Sequence, residues 1–77
     1  MAVNLRHPRM DSLVKLRLAR NMTQRDLSAA LGRSPATVAQ WERGYSIPNT
    51  ENLIAIANLF GCSVDAVLGR EPLGKPG

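Results

Sequence analysis

Apolar residues recur three and four positions apart along most of the chain, the spacing of helices that each bury one face. The clearest run is Leu53, Ile56, Ala57 and Phe60, at i, i+3, i+4 and i+7. Leu27, Ala30 and Leu31 make a shorter apolar face, while Leu13 with Leu16 and Val38 with Trp41 mark the inward sides of two further helices. Polar caps and glycines set the boundaries. A first helix runs from Met10 or Asp11 to Arg20. A second opens on Thr23 and closes at Gly32, and a third runs from Ser34 to Gly44. A fourth begins near Thr50 as its N-cap and ends at Gly61. Ser63 caps a short fifth helix, Val64 to about Leu68. The pattern predicts five helices and no sheet, an all-α fold, and 77 residues leave room for one small domain. Residues 1–9, in which Pro8 keeps His7 out of helix, read as an irregular arm. The domain then spans 10–68, and 69–77, with three glycines and two prolines, reads as a flexible tail.

The two central helices carry the strongest local signals. The Thr23 hydroxyl can accept a backbone N–H, and Asp26 stands where a capping box places its acidic partner, weakened by the short reach of Asp. Met22, just before that cap, is placed as a hydrophobic staple. Ser34 caps the third helix, and Pro35 follows at the first helical position, where its missing N–H costs nothing. At 100° per residue, Ala36, Ala39, Gln40 and Arg43 point away from Val38 and Trp41. Two helices of about nine residues joined by a tight glycine turn form a helix-turn-helix. The second of them presents small, polar and basic side chains outward.

On these residues the stretch TQRDLSAALGRSPATVAQWERG resembles the helix-turn-helix of the phage-repressor/Cro-type, or Xre-like, DNA-binding family. The matching features are Thr23-Gln24, Leu27, Gly32, Ser34 and Trp41-Glu42-Arg43-Gly44, with Ser28 in place of the small apolar Ala that usually follows the first Leu. The resemblance extends from about Leu13 to Leu68. It implies a compact lambda-repressor-like fold and a sequence-specific regulator of transcription, commonly a repressor, whose third helix enters the major groove of double-stranded DNA. It also implies a palindromic operator bound by a homodimer, often formed through the fifth helix and the chain after it. Val64, Val67 and Leu68 offer more apolar surface than so short a helix can hide alone, which points to a weak dimer.

Site roles follow from the resemblance and from residue chemistry. Gln24 is expected to bring its amide and the second helix's N-terminal N–H groups to a phosphate. Ser34 lies at the mouth of the groove. Pro35 and Ala36 occupy positions where relatives often carry a base-reading Gln; neither makes a bidentate hydrogen bond, though both can pack on a thymine methyl. Thr37 and Gln40 are the polar side chains left to reach base edges. Arg33, Arg43 and the Tyr45 hydroxyl suit phosphates. Arg17 lies close beside Leu13 on the inner edge of the first helix and needs a partner there. Glu42 sits about 40° from Val38 on the third helix and is the obvious one; the family pairs the same two positions, in a structural role.

Charge sharpens this picture. The net charge is +4 and the pI about 10.2, which favours an anionic partner. In residues 1–20, Arg6, Arg9, Lys15, Arg17 and Arg20 oppose Asp11 alone, whereas residues 45–77 are slightly acidic, so the basic field is expected on the N-terminal half. Aromatic residues make up only 4%, which makes the core aliphatic. Cys62 is single and excludes an internal disulfide; it reads as a buried thiol suited to a reducing, cytoplasmic setting. No apolar run resembles a signal peptide or a membrane span. One His, one Cys and scattered carboxylates offer no nucleophile–base pair, metal-ligand spacing or phosphate loop, so neither an enzyme, a metal nor a cofactor is expected. Because Pro35, Ala36 and Ala39 leave the outward face bland, a protein-interaction module that keeps the helix-turn-helix shape stands beside the regulator, which itself reads either as a phage-type repressor or as the antitoxin of a toxin–antitoxin pair.

Overall fold

A computed structural model of the chain describes residues 10–70. Five helices follow one another: α1 (Asp11–Ala19), α2 (Gln24–Leu31), α3 (Pro35–Arg43), α4 (Thr50–Phe60) and α5 (Val64–Leu68). No strand occurs among the described residues. The arm 1–9 and the tail from residue 71 lie outside them.

Each helix contributes to one core, in which Met10, Leu13, Leu27, Val38, Trp41, Ile56, Ala57, Phe60 and Val67 are buried together. Leu16, Met22, Leu31, Leu53, Val64 and Leu68 pack against its edge. Trp41 is therefore a core residue, 3% exposed. α2 packs chiefly on α3, and α5 lies across both α4 and α1.

Local chemistry starts and stops these helices much as the pattern predicts, with three corrections. The N-cap of α4 is Asn49, whose Oδ1 accepts from the Asn52 N–H at 2.9 Å, and Thr50 becomes the first helical residue. Asn caps at least as well as Thr, and starting one residue earlier adds the Leu53 N–H to Asn49 carbonyl bond. The inner face of α2 consists of Leu27, Ser28 and Leu31, while Ala30 is exposed. Ser28 can be buried because it is small and its hydroxyl donates to the Arg25 carbonyl at 2.8 Å. The third correction concerns α5. Val67 is fully buried, and Val64 and Leu68, half-buried, pack against the core, so most of the apolar surface expected to be surplus there is used within the chain.

Two further contacts close the bundle. Gly69, assigned to the tail from sequence, is the C-cap of α5 at φ 77°, and it sits against Ser12 of α1. Arg20 donates to the carbonyls of Leu59 at 3.0 Å and Phe60 at 3.1 Å, and its guanidinium lies 5.2 Å from the centre of the Phe60 ring. It satisfies the carbonyls that α4 leaves unpaired at its end. Cys62 is half-buried at the core's edge rather than sequestered.

Candidate nucleic-acid interface

The candidate surface is built on α2, its turn and α3. The α2 cap is stronger than the short Asp side chain suggests. The Thr23 N–H donates to Asp26 Oδ2 at 2.9 Å, and the Asp26 N–H donates to Thr23 Oγ1 at 3.0 Å, so both halves of the capping box are made. The Thr23 backbone N–H first, and the Thr23 side chain second, hold the Asp26 carboxyl below the ordinary Asp range. At the other end Gly32 takes the left-handed conformation at φ 68°, and the Arg33 N–H reaches back to the Ser28 carbonyl at 2.8 Å.

α3 starts on Ser34, whose Oγ accepts from the Thr37 N–H at 3.3 Å. The same hydroxyl bonds Thr37 Oγ1 at 2.9 Å, which ties up part of the hydrogen-bonding capacity of both side chains. Val38, Trp41 and Glu42 face inward. Pro35, Ala36, Gln40 and Arg43 are exposed, and Thr37 and Ala39 are half-buried. Beyond the Gly44 cap, Tyr45 is 52% exposed and its N–H bonds the Gln40 carbonyl at 2.9 Å, fixing its backbone beside the helix end.

Beneath this face lies a charged cluster. Arg17 grips Glu42 with two bonds, Nε to Oε2 at 2.7 Å and Nη2 to Oε1 at 3.0 Å, while Nη1 donates to the Met22 carbonyl at 2.8 Å. The two side chains are 11% and 5% exposed. The hydrogen bond to Glu42 holds the Arg17 guanidinium above its ordinary value, against the opposing effect of burial. Gln24 Nε2 also donates to Glu42 Oε1, at 2.9 Å. An open groove between the α1–α2 turn and the heads of α2 and α3 is lined by Arg17, Met22, Thr23, Gln24, Arg25 and Pro35, among others. The turn itself pivots on Asn21, at φ 56°, a conformation that Asn tolerates better than most residues.

The structure thus brings Ser34, Pro35, Ala36, Gln40 and Arg43 to one exposed helix and sets Gln24 and Tyr45 at its flanks. It also modifies three assignments. Arg33 is turned toward α4, its Nε donating to Asn52 Oδ1 at 3.2 Å. Gln24 spends one amide hydrogen inward. Arg17 is neutralised by Glu42 and drops out of the N-terminal basic field, whereas Arg20 keeps its exposed charge but is tied to the carbonyls at the end of α4. Arg25, to which periodicity assigned no role, is exposed in the groove next to Gln24. Its position in the first turn of α2 was the available signal. Among the described residues no helix is long and apolar enough to cross a membrane.

This geometry has known counterparts. The sequence profile of the helix-turn-helix family matches residues 13–67. The chain belongs to that family. Among helix-turn-helix relatives it is 46% identical over 46 residues to the transcriptional regulator DicA of Escherichia coli, covering 60% of this chain and 34% of DicA. It is 37% identical over 62 residues to the regulator AnsR of Bacillus subtilis, covering 80% of this chain and 53% of AnsR. The chain therefore spans about half or less of these curated relatives. In structure it is similar to the P22 c2 repressor, solved in complex with a synthetic operator, with a TM-score of 0.75, 31% identity, and coverage of 83% of this chain and 98% of that one.

Proposed function

We propose that this chain is a sequence-specific DNA-binding regulator of transcription, acting as a repressor in the cytoplasm, with α3 inserted in the major groove. The observation that carries this is the exposed face of α3. Pro35, Ala36, Gln40 and Arg43 project from a helix whose other side is locked into the core by Val38 and Trp41. The likeness to a repressor solved on its operator supports the same use of the face.

Roles divide by chemistry. Gln40, the longest polar side chain on the outward arc, reads a base edge, and its amide matches adenine. Pro35 and Ala36 pack on thymine methyls. Ser34 and Thr37, bonded to each other, contribute one outward hydroxyl contact between them. Arg43, Tyr45 and Gln24 hold phosphates, joined by Arg25, and Arg33 does so after exchanging its bond to Asn52. One recognition helix covers a single half-site, so a weak homodimer on a palindromic operator, with half-sites about one helical turn apart, completes the complex.

Selection of bound sequences from a random duplex pool tests the reading, followed by a salt titration on the selected site. A steep loss of affinity with salt is expected. A chain that enriches no sequence and shows no salt dependence is instead a protein-interaction module. Gln40→Ala should weaken the selected site by about 1–3 kcal/mol and leave random duplex nearly unchanged. Equal weakening on both would remove Gln40 as the reader.

A further inference from the structure

We propose that Glu42 is a positioning residue for DNA contact: with Arg17 locked behind it, it pre-sets the Gln24 amide at the edge of the groove. The inference rests on the DNA-binding reading above. Glu42 Oε1 accepts from Gln24 Nε2 at 2.9 Å and from Arg17 Nη2 at 3.0 Å, and Oε2 accepts from Arg17 Nε at 2.7 Å. Arg17 is itself fixed, because Nη1 donates to the Met22 carbonyl at 2.8 Å. A planar guanidinium held on both sides leaves the carboxylate one orientation.

That orientation has two consequences for Gln24. Its amide nitrogen carries two hydrogens; Glu42 takes one, and the second remains for a phosphate oxygen. A carboxylate this close to a phosphodiester would ordinarily repel it, but the bidentate Arg17 cancels its charge. The cluster therefore offers an amide donor rather than an anion. Pro35, the α3 residue that lines the same groove, has no side-chain polar atom with which to hold the amide from the other side. The inward carboxylate takes that role. Holding a flexible side chain in its bound geometry beforehand improves affinity roughly three- to tenfold.

A binding cycle decides it. Affinity for the selected duplex is measured for the parent, Glu42→Gln, Gln24→Ala and the double variant, alongside urea unfolding. Removing the Glu42 charge adds one net positive charge in both backgrounds, so that effect cancels in the cycle. Glu42→Gln is expected to weaken binding roughly three- to tenfold more in the parent than in the Gln24→Ala background. In the DNA-free protein the side-chain amide resonance of Gln24 should move in Glu42→Gln. Equal effects in the two backgrounds, or an unmoved Gln24 amide, overturn the proposal. Should Glu42→Gln unfold, Glu42→Asp runs the same cycle, keeping the charge but withdrawing the carboxylate by one methylene. A parent that binds no duplex overturns the DNA-binding reading and this role together. A parent that binds tightly with an additive cycle removes only the role of Glu42.

Discussion

Arg17 and Glu42 show how one pair can serve two ends. Each is nearly buried, and each satisfies the other with two hydrogen bonds, so either alone would leave a charge without compensation. Glu42→Ala should lower unfolding stability by about 1–3 kcal/mol, and Arg17→Ala by a similar amount. The double variant should lose less than the sum; full additivity in denaturant titrations would mean that the two residues act separately. Asp26 gives a different, pH-dependent prediction. Its folded carboxyl is held below the ordinary value, so it contributes stability above the unfolded pKa of about 4 and loses it as pH falls through the folded one. Asp26→Asn should flatten that acid limb of a stability–pH curve and lower the neutral-to-alkaline limb without changing its slope.

At the scale of elements, the short α5 is held by its ends. Ser63 Oγ accepts from the Ala66 N–H at 3.0 Å, and Gly69 closes the other end at φ 77°. A Cβ on Gly69 would stand 2.7 Å from Ser12 Oγ, whereas one on Gly61, at φ 64°, would meet nothing within 4 Å. Gly61→Ala should therefore cost only the left-handed backbone penalty, about 1–2 kcal/mol. Gly69→Ala should cost that and more, because Ser12 must turn away and α5 loosens from α1. Thermal unfolding of the two variants tests the order; equal losses would show that Ser12 yields freely.

For the whole molecule, the distribution of arginines separates stability from binding. Arg20 bonds the last carbonyls of α4 and covers Phe60, while Arg43 is exposed on α3 with no ion pair among the described residues. Arg20→Ala should lower stability by about 1 kcal/mol and leave the salt dependence of duplex binding nearly unchanged. Arg43→Ala should do the reverse, reducing the slope by about one counterion with little change in unfolding. A loss of slope in Arg20→Ala would show that its bonds to α4 open when DNA binds.

Sequence by itself determined what depends on neighbours along the chain. The five helices, the Thr23, Ser34 and Ser63 caps, the glycine stops and the inward Val38 and Trp41 were legible because capping and periodicity act over three or four residues. The pairing of Arg17 with Glu42 was also legible, since an inner-edge charge on each of two helices leaves few partners. Tertiary structure decided what depends on packing between helices. Ser28 rather than Ala30 was buried because α2 turns that side to the core, and the Ser28 hydroxyl tolerates burial by bonding the Arg25 carbonyl of its own helix. Val67 went inward because α1 and α4 both cover α5. Arg20, Arg33 and Gln24, alike in sequence as exposed polar residues, were sent to α4 carbonyls, to Asn52 and to Glu42. A local pattern gives the direction in which a long side chain leaves its helix, but its partner comes from another helix, and only the folded chain brings the two within hydrogen-bond reach.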